Sequence, residues 1–323
     1  MKKFRRWYRQ NALRLFWVAL IVSGLSWLYL YRLGSIPGGM SHSEILVANG
    51  QYGWHGLYQS LLYAPLNLMR SIIFFVAGHH GQFLTRLPNA IFGIMSVVGF
   101  GWLLWLWHGG RTAILGTVLF ATSAWTLHIS RVASNDVMFL WMMVMLLVSN
   151  AMLYRHASKL WAVYTVAILW VCILFIPGGI WLLLINAFWQ RNSIKTGLQS
   201  LSNVWQRLAL GALLFIPIVL LLASLLHANQ WLLWLGLPSH FINPITVVHN
   251  FFAAVFHVYI RGPLLPEMWL GRLPILDVLA AICSFVGFYF YAKNFEAGRS
   301  RMLASIFVAA LVLIAVGGPA SIS

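Results

Sequence analysis

Apolar runs close to the ~20 residues that a helix needs to cross ~30 Å of hydrocarbon recur from one end of this chain to the other. They are continuous and rich in Leu, Ile, Val, Phe and Trp, whereas a membrane β-barrel would alternate apolar and polar residues in segments of ~10. The chain is 61% hydrophobic and only 8% charged, with a mean hydropathy of +0.82. These features specify an all-α polytopic membrane protein and exclude a barrel.

Nine spans are expected, at 13–33, 87–107, 112–129, 137–154, 160–176, 178–189, 208–226, 275–292 and 302–316. The first follows a basic head of Lys2, Lys3, Arg5, Arg6 and Arg9. Its apolar stretch is longer than a signal-peptide core and no A-x-A-like site follows before Pro37, so it reads as a retained helix. The stretch 57–78 carries Gln59, Pro65, Asn67 and Arg70, which suits either a weak span or a helix lying along the interface. Charge separates the two. Lying flat on the outer side, it leaves fifteen of the twenty-one basic residues inside, with Arg32, Arg70, Arg86, Arg131, Arg261 and Arg272 outside. Spanning, it inverts every later loop and moves the basic loops after Tyr154 and Trp189 outward, against the positive-inside rule.

The amino terminus is therefore expected in the cytoplasm, and the net charge of +16 reports topology and gives no reason to expect a nucleic-acid partner. Cys172 and Cys283 each fall alone in an apolar span, which suggests neither a disulfide nor a thiolate metal site. The same topology puts Glu44, Asp136, Glu267 and Asp277 outside, and of the five carboxylates only Glu296 inside. Nine of the eleven histidines fall outside as well. Two long outer segments, 34–86 and 227–274, contain interrupted apolar helices with Trp54, Tyr58, Trp231, Trp234 and Trp269 as interfacial anchors. Together they are suited to roof a cavity opening to lipid. No repeat or linker divides the chain, so 1–323 reads as one membrane domain.

Four segments of the outer face carry a resemblance. They are Ile36-Pro37-Gly38-Gly39-Met40-Ser41-His42-Ser43-Glu44, Arg86-Leu87-Pro88-Asn89, the run Ser123 to Arg131 followed by Asn135-Asp136, and Arg261-Gly262 with Gly271-Arg272-Leu273-Pro274 leading to Asp277. In order, spacing and sidedness they resemble the GT-C glycosyltransferases that use polyprenyl-phosphate sugars, the group of protein mannosyltransferases and aminoarabinose transferases (glycosyltransferase family 39-like), over roughly residues 33 to 290. The resemblance implies a GT-C-like bundle of about nine transmembrane helices with interfacial helices in the two outer loops, acting on a polyprenyl-phosphate sugar donor among membrane lipids. Family members generally continue with further spans, so it also implies a short or truncated version. Where the family typically has an Asp-Glu pair, this chain has Ser43-Glu44.

Sugar transfer needs a base for the acceptor hydroxyl and fixed positive charge for the departing phosphate. Glu44 is the candidate base, since an unactivated Ser43 hydroxyl does not accept a proton near neutral pH. Glu44 is equally suited to begin a short helix over 44–49, where a carboxylate favours the amino-terminal dipole. Asp136 is either a first-turn acid of the span it precedes or, as the resemblance implies, a residue that shapes the donor site or helps hold a divalent metal ion. Arg131 and Arg261 are the candidates for donor phosphate, and pairing with anionic headgroups is the other use of such outer arginines. His79-His80 lack the i, i+4 spacing of a helical zinc motif, and only a loop gathering His42, Glu44 and Asp136 would make a metal site. The acceptor is unknown from sequence. Short loops and the resemblance together point to a bacterial inner membrane with the active face extracytoplasmic. A non-catalytic relative that binds a lipid carrier or partner, and a lipid or solute transporter, are the alternatives; span interiors almost free of charge disfavour the transporter.

Overall fold

A computed structural model of the chain describes residues 19–35, 60–78, 81–238, 243–262 and 272–317, with Phe16, residues 39–41, Glu44, Ile45 and Val47. The described residues form helices and turns, with no strand among them. Residues 19–30 form α1, which a short 3-10 turn, Leu33–Ser35, follows. The helices after it are α2 (Ala64–Ala77), α3 (Gln82–His108), α4 (Gly110–Thr122), α5 (Ala124–Arg131), α6 (Val137–His156), α7 (Leu160–Leu174) and α8 (Gly179–Gln199). The remainder are α9 (Val204–Ala228), the single turn α10 (Trp231–Trp234), α11 (Pro244–Tyr259), α12 (Val278–Lys293) and α13 (Gly298–Gly317).

Four of these, α3, α6, α9 and α13, are long and apolar enough to cross a bilayer. A fifth arises if α4 and α5 count as one span, although they meet at Ser123 with a bend of 59°. The chain is thus a helical membrane protein, and the count of nine spans is finer than these helices show. The expected spans 160–176 and 275–292 correspond to helices of 15 and 16 residues. The expected span 178–189 lies in the 21-residue α8, which runs on through a polar stretch to Gln199.

The core forms around α6. Of its apolar stretch 72% is buried, against 17% for α9. Met138, Trp141, Met145 and Leu146 of α6 meet Phe92 of α3, Ile173 of α7, Leu182 of α8 and Ile306 of α13. Small residues let the backbones approach, as membrane helices require when no water is expelled between them. A side chain built at Gly93 of α3 would land on Ser130 Oγ of α5, and one at Gly99 would meet Met145 and Val144 of α6. Replacement of Gly93 by Val should therefore cost about 1–3 kcal/mol, read as a lower melting temperature of the purified protein in detergent. The same change at Gly287 of α12, where nothing lies within 4 Å, should leave melting unmoved.

α2 is turned inside out relative to a helix in water. Leu66, Asn67, Arg70, Ser71 and Phe74 are buried, while Ile72, Phe75 and Val76 are exposed. Its 14 residues rise about 21 Å, too short to cross the bilayer. An apolar outer face with a polar inner one fits a lipid surround, and it turns two polar side chains and an arginine towards the amino-terminal end of α3.

Candidate functional site

Glu44 and Arg86 stand 42 positions apart in sequence and form a buried ion pair, each side chain only 2% exposed. Arg86 Nε donates to Glu44 Oε1 at 2.7 Å and Nη2 donates to Oε2 at 2.8 Å, the two-pronged geometry that suits a guanidinium and a carboxylate. Arg86 also donates from Nη1 to Leu33 O at 3.0 Å and from Nη2 to Gly39 O at 2.7 Å. Two backbone amides complete the carboxylate: Ala133 N–H donates to Oε1 and Ser41 N–H to Oε2, both at 3.0 Å. Ser41 Oγ in turn accepts from Glu44 N–H at 3.3 Å, the reciprocal S-x-x-E bonding of a helix amino terminus.

A carboxylate accepts about four hydrogen bonds, and Glu44 accepts four. Burial pushes its pKa up, but the hydrogen bonds from Arg86, Ala133 and Ser41 and the charge of Arg86 outweigh that and hold it below the usual carboxylate value. Glu44 is therefore ionised and saturated, and its geometry is that of a residue that holds three chain segments together.

One of those segments is the loop from Val132 to Asp136 between α5 and α6, and a second buried arginine grips it from the other side. Arg70 of α2 is fully buried; its Nη1 donates to Asn67 Oδ1 at 3.2 Å and Asn135 Oδ1 at 3.1 Å, and its Nη2 to Asn89 Oδ1 at 3.1 Å and Ser134 O at 3.2 Å. Asn89 Nδ2 also donates to Ser134 O, at 2.5 Å. Asn89 lies three residues beyond Arg86 on α3, so one helix end presents both grips. Arg70, Asn67 and Asn89 were named above only as parts of their segments and not as site candidates. The signal available for them was the polar content of 57–78 and the Asn that follows Arg86-Leu87-Pro88.

Asp136 caps α6 at the end of this loop, half-buried, with its backbone N–H donating to Ser134 Oγ at 3.3 Å and no side-chain capping bond. Arg131 closes α5, with Nη2 donating to Tyr31 O at 2.6 Å and Nε buried without a hydrogen-bond partner among the described residues. It lies near enough to Arg86 to feel its charge. Arg261 stands apart from these two. It is exposed past the end of α11, and its neighbour Gly262 packs beside Trp125 at the start of α5, six residues or about 9 Å of helix from Arg131. Trp125 Nε1 bonds Leu273 O and Pro274 O, so the returning chain is fastened there too.

His42, Ser43, His79, His80 and Glu267 lie outside the described residues. Among the described residues no three His, Cys, Asp or Glu side chains gather as a metal site. The set of His42, Glu44 and Asp136 fits a divalent ion poorly, because every acceptor position of Glu44 is already taken. An apolar cleft of about 280 Å³ lies between α11 and α13 and is lined by none of the four candidate residues. No family model, curated protein or solved structure matches the chain.

Proposed function

We propose that the protein is a membrane glycosyltransferase of the GT-C kind, moving a sugar from a polyprenyl-phosphate donor to an acceptor hydroxyl at the extracytoplasmic face of a bacterial inner membrane. In this reading the amino terminus is cytoplasmic, and α1, α7, α8, α12 and the bent pair α4 and α5 join the four long helices in a bundle of about nine spans. The supporting observation is the positive charge where α3 and α5 meet: Arg131 feels the charge of Arg86, its Nε is buried with no hydrogen-bond partner among the described residues, and the carboxylate paired with Arg86 among those residues is the saturated Glu44. Such a place attracts a phosphate. The acceptor oxygen attacks the anomeric carbon as its proton passes to Asp136, and the bond from that carbon to the phosphate oxygen breaks with its electron pair left on the phosphate, whose charge Arg131 offsets; Arg261, which stands apart from Arg131, is assigned to the approach of the phosphate. Glu44 then positions the loop that carries Asp136 and takes no proton itself.

The saturation of Glu44 also favours a second reading, in which the fold binds the lipid carrier without catalysis. Reconstitution with a radiolabelled polyprenyl-phosphate sugar separates them. Asp136→Asn should lower transfer by about 10²-fold or more with donor binding retained, and Arg131→Gln should weaken donor binding. Transfer that survives Asp136→Asn removes it as the base; donor binding with no transfer by the wild-type protein establishes the second reading.

A further inference from the structure

The end of the bundle opposite the Glu44–Arg86 pair carries a different cluster. α3 has 27 residues, about 40 Å of helix, and its last turn holds Trp107 and His108. Two arginines from other helices converge on that turn. Arg155 of α6 donates from Nη2 to Leu106 O, and the Arg299 guanidinium of α13 lies 6.0 Å from the ring centroid of Trp107 and 5.4 Å from that of Tyr154. Tyr291 of α12 adds a contact with His108 Nε2 at 3.5 Å, so four helices meet here. Neither arginine forms an ion pair among the described residues, and Glu296, the carboxylate nearest in sequence, forms none either.

We propose that this corner is a binding site for the headgroup of an anionic phospholipid, independent of any glycosyl transfer. Stacking on two rings fixes the Arg299 guanidinium without neutralising it, and the carbonyl of Leu106 does the same for Arg155, leaving two positioned cations with donors to spare. Tyr154, which carries the Arg299 guanidinium, is itself exposed, and Tyr289 and Phe295, near Tyr291 and Arg299 in sequence, are exposed too; aromatic side chains of this kind belong to the interface, which places the charge at headgroup depth with acyl chains below. A lipid phosphate is matched by both features, and a freely dissolved anion only by the first.

The test uses the full chain, delipidated in detergent, and native mass spectrometry with phosphatidylglycerol and phosphatidylcholine of identical acyl chains. Phosphatidylglycerol should be retained in preference, and that preference should fall with added NaCl in the wild-type protein. Arg155→Gln and Arg299→Gln should each weaken it about five-fold, the effect of ~1 kcal/mol per arginine at such a surface. Trp107→Leu should weaken it too, while Arg32→Gln at the other end of the bundle should not. Equal retention of the two lipids by the wild type, or a preference indifferent to both arginine changes, overturns the proposal. Displacement of the lipid by millimolar inorganic phosphate assigns the site to free anions and overturns it as a lipid site.

Discussion

Arg86→Leu should be among the most damaging single substitutions in this protein, lowering stability by about 3–5 kcal/mol, because it strands Glu44 as a buried charge. Three connections fail at once: the turn at Leu33, the segment at Gly39, and the carboxylate that holds Ala133. Glu44→Gln should cost less. The amide keeps the shape and one acceptor oxygen, but its NH2 then faces Arg86 or a backbone N–H that has nothing to receive it. The two changes together should cost less than their sum, since each removes what the other leaves uncompensated. Thermal or denaturant unfolding of the four proteins in one detergent measures this coupling; additive losses would show that the pair does not act as a unit.

The same pair sets a pH dependence. The Glu44 carboxyl titrates lower in the folded protein than in the unfolded chain, so it contributes stability at pH values above the unfolded carboxylate range, and that contribution is lost as pH falls through the folded pKa. Between neutral pH and the ordinary glutamate range the contribution should be constant. Melting temperature followed downward from pH 6 should drop on the acid side, and Glu44→Gln should flatten that drop.

The helical membrane architecture was legible because the apolar runs state it directly: α3, α6, α9 and α13 fall on expected spans. The bend at Ser123 was not placed within the run 112–129, because no Pro marks it; Thr122-Ser123 and the polar Thr126 and His128 beyond were the signal available. The polar extension of α8 to Gln199 was missed for the opposite reason. Apolar length marks where lipid ends, whereas backbone hydrogen bonding carries the helix on past that point. At the site, Glu44 stood out as a rare acid, and its spacing from Ser41 held a capping signal that depends only on local geometry. Its partner was beyond reach: Arg86 and Ala133 come from segments 42 and 89 residues away, and nothing in a one-dimensional pattern pairs them. Arg70 was misweighed, since a charge in a weakly apolar stretch looks like a flaw until the helix is seen to present its polar side inward.

Arg70→Leu is the second substitution expected to have a large effect. The native guanidinium is fully buried and donates four hydrogen bonds, three to asparagine side chains and one to Ser134 O. Leucine fills much of the volume but leaves those acceptors facing a hydrocarbon side chain. Asn89 retains its bond to Ser134 O and Asn67 its bond to Leu62 O, so the loss is partial. With hydrogen bonds to a charged donor contributing about 1.5–3 kcal/mol each and not adding in full, roughly 3 kcal/mol or more is expected. Arg70→Lys should fall between the two, because an ammonium keeps the charge but lacks the fork that spans Asn135 and Asn89 together. Ile72→Ala, on the exposed face of the same helix, serves as the control and should move the melting temperature little. Limited proteolysis within 132–136 gives the local readout: cleavage should speed up in Arg70→Leu even at temperatures where the bundle stays folded, because Asn135 then loses its grip and Ser134 O is left with the Asn89 bond alone. A variant as stable and as resistant as the wild type would mean that Glu44 and Asn89 hold the loop without Arg70. If Asp136 takes the acceptor proton, the faster-cleaved loop should also transfer sugar more slowly with the aspartate itself intact, since a general base displaced by even 1 Å loses much of its effect.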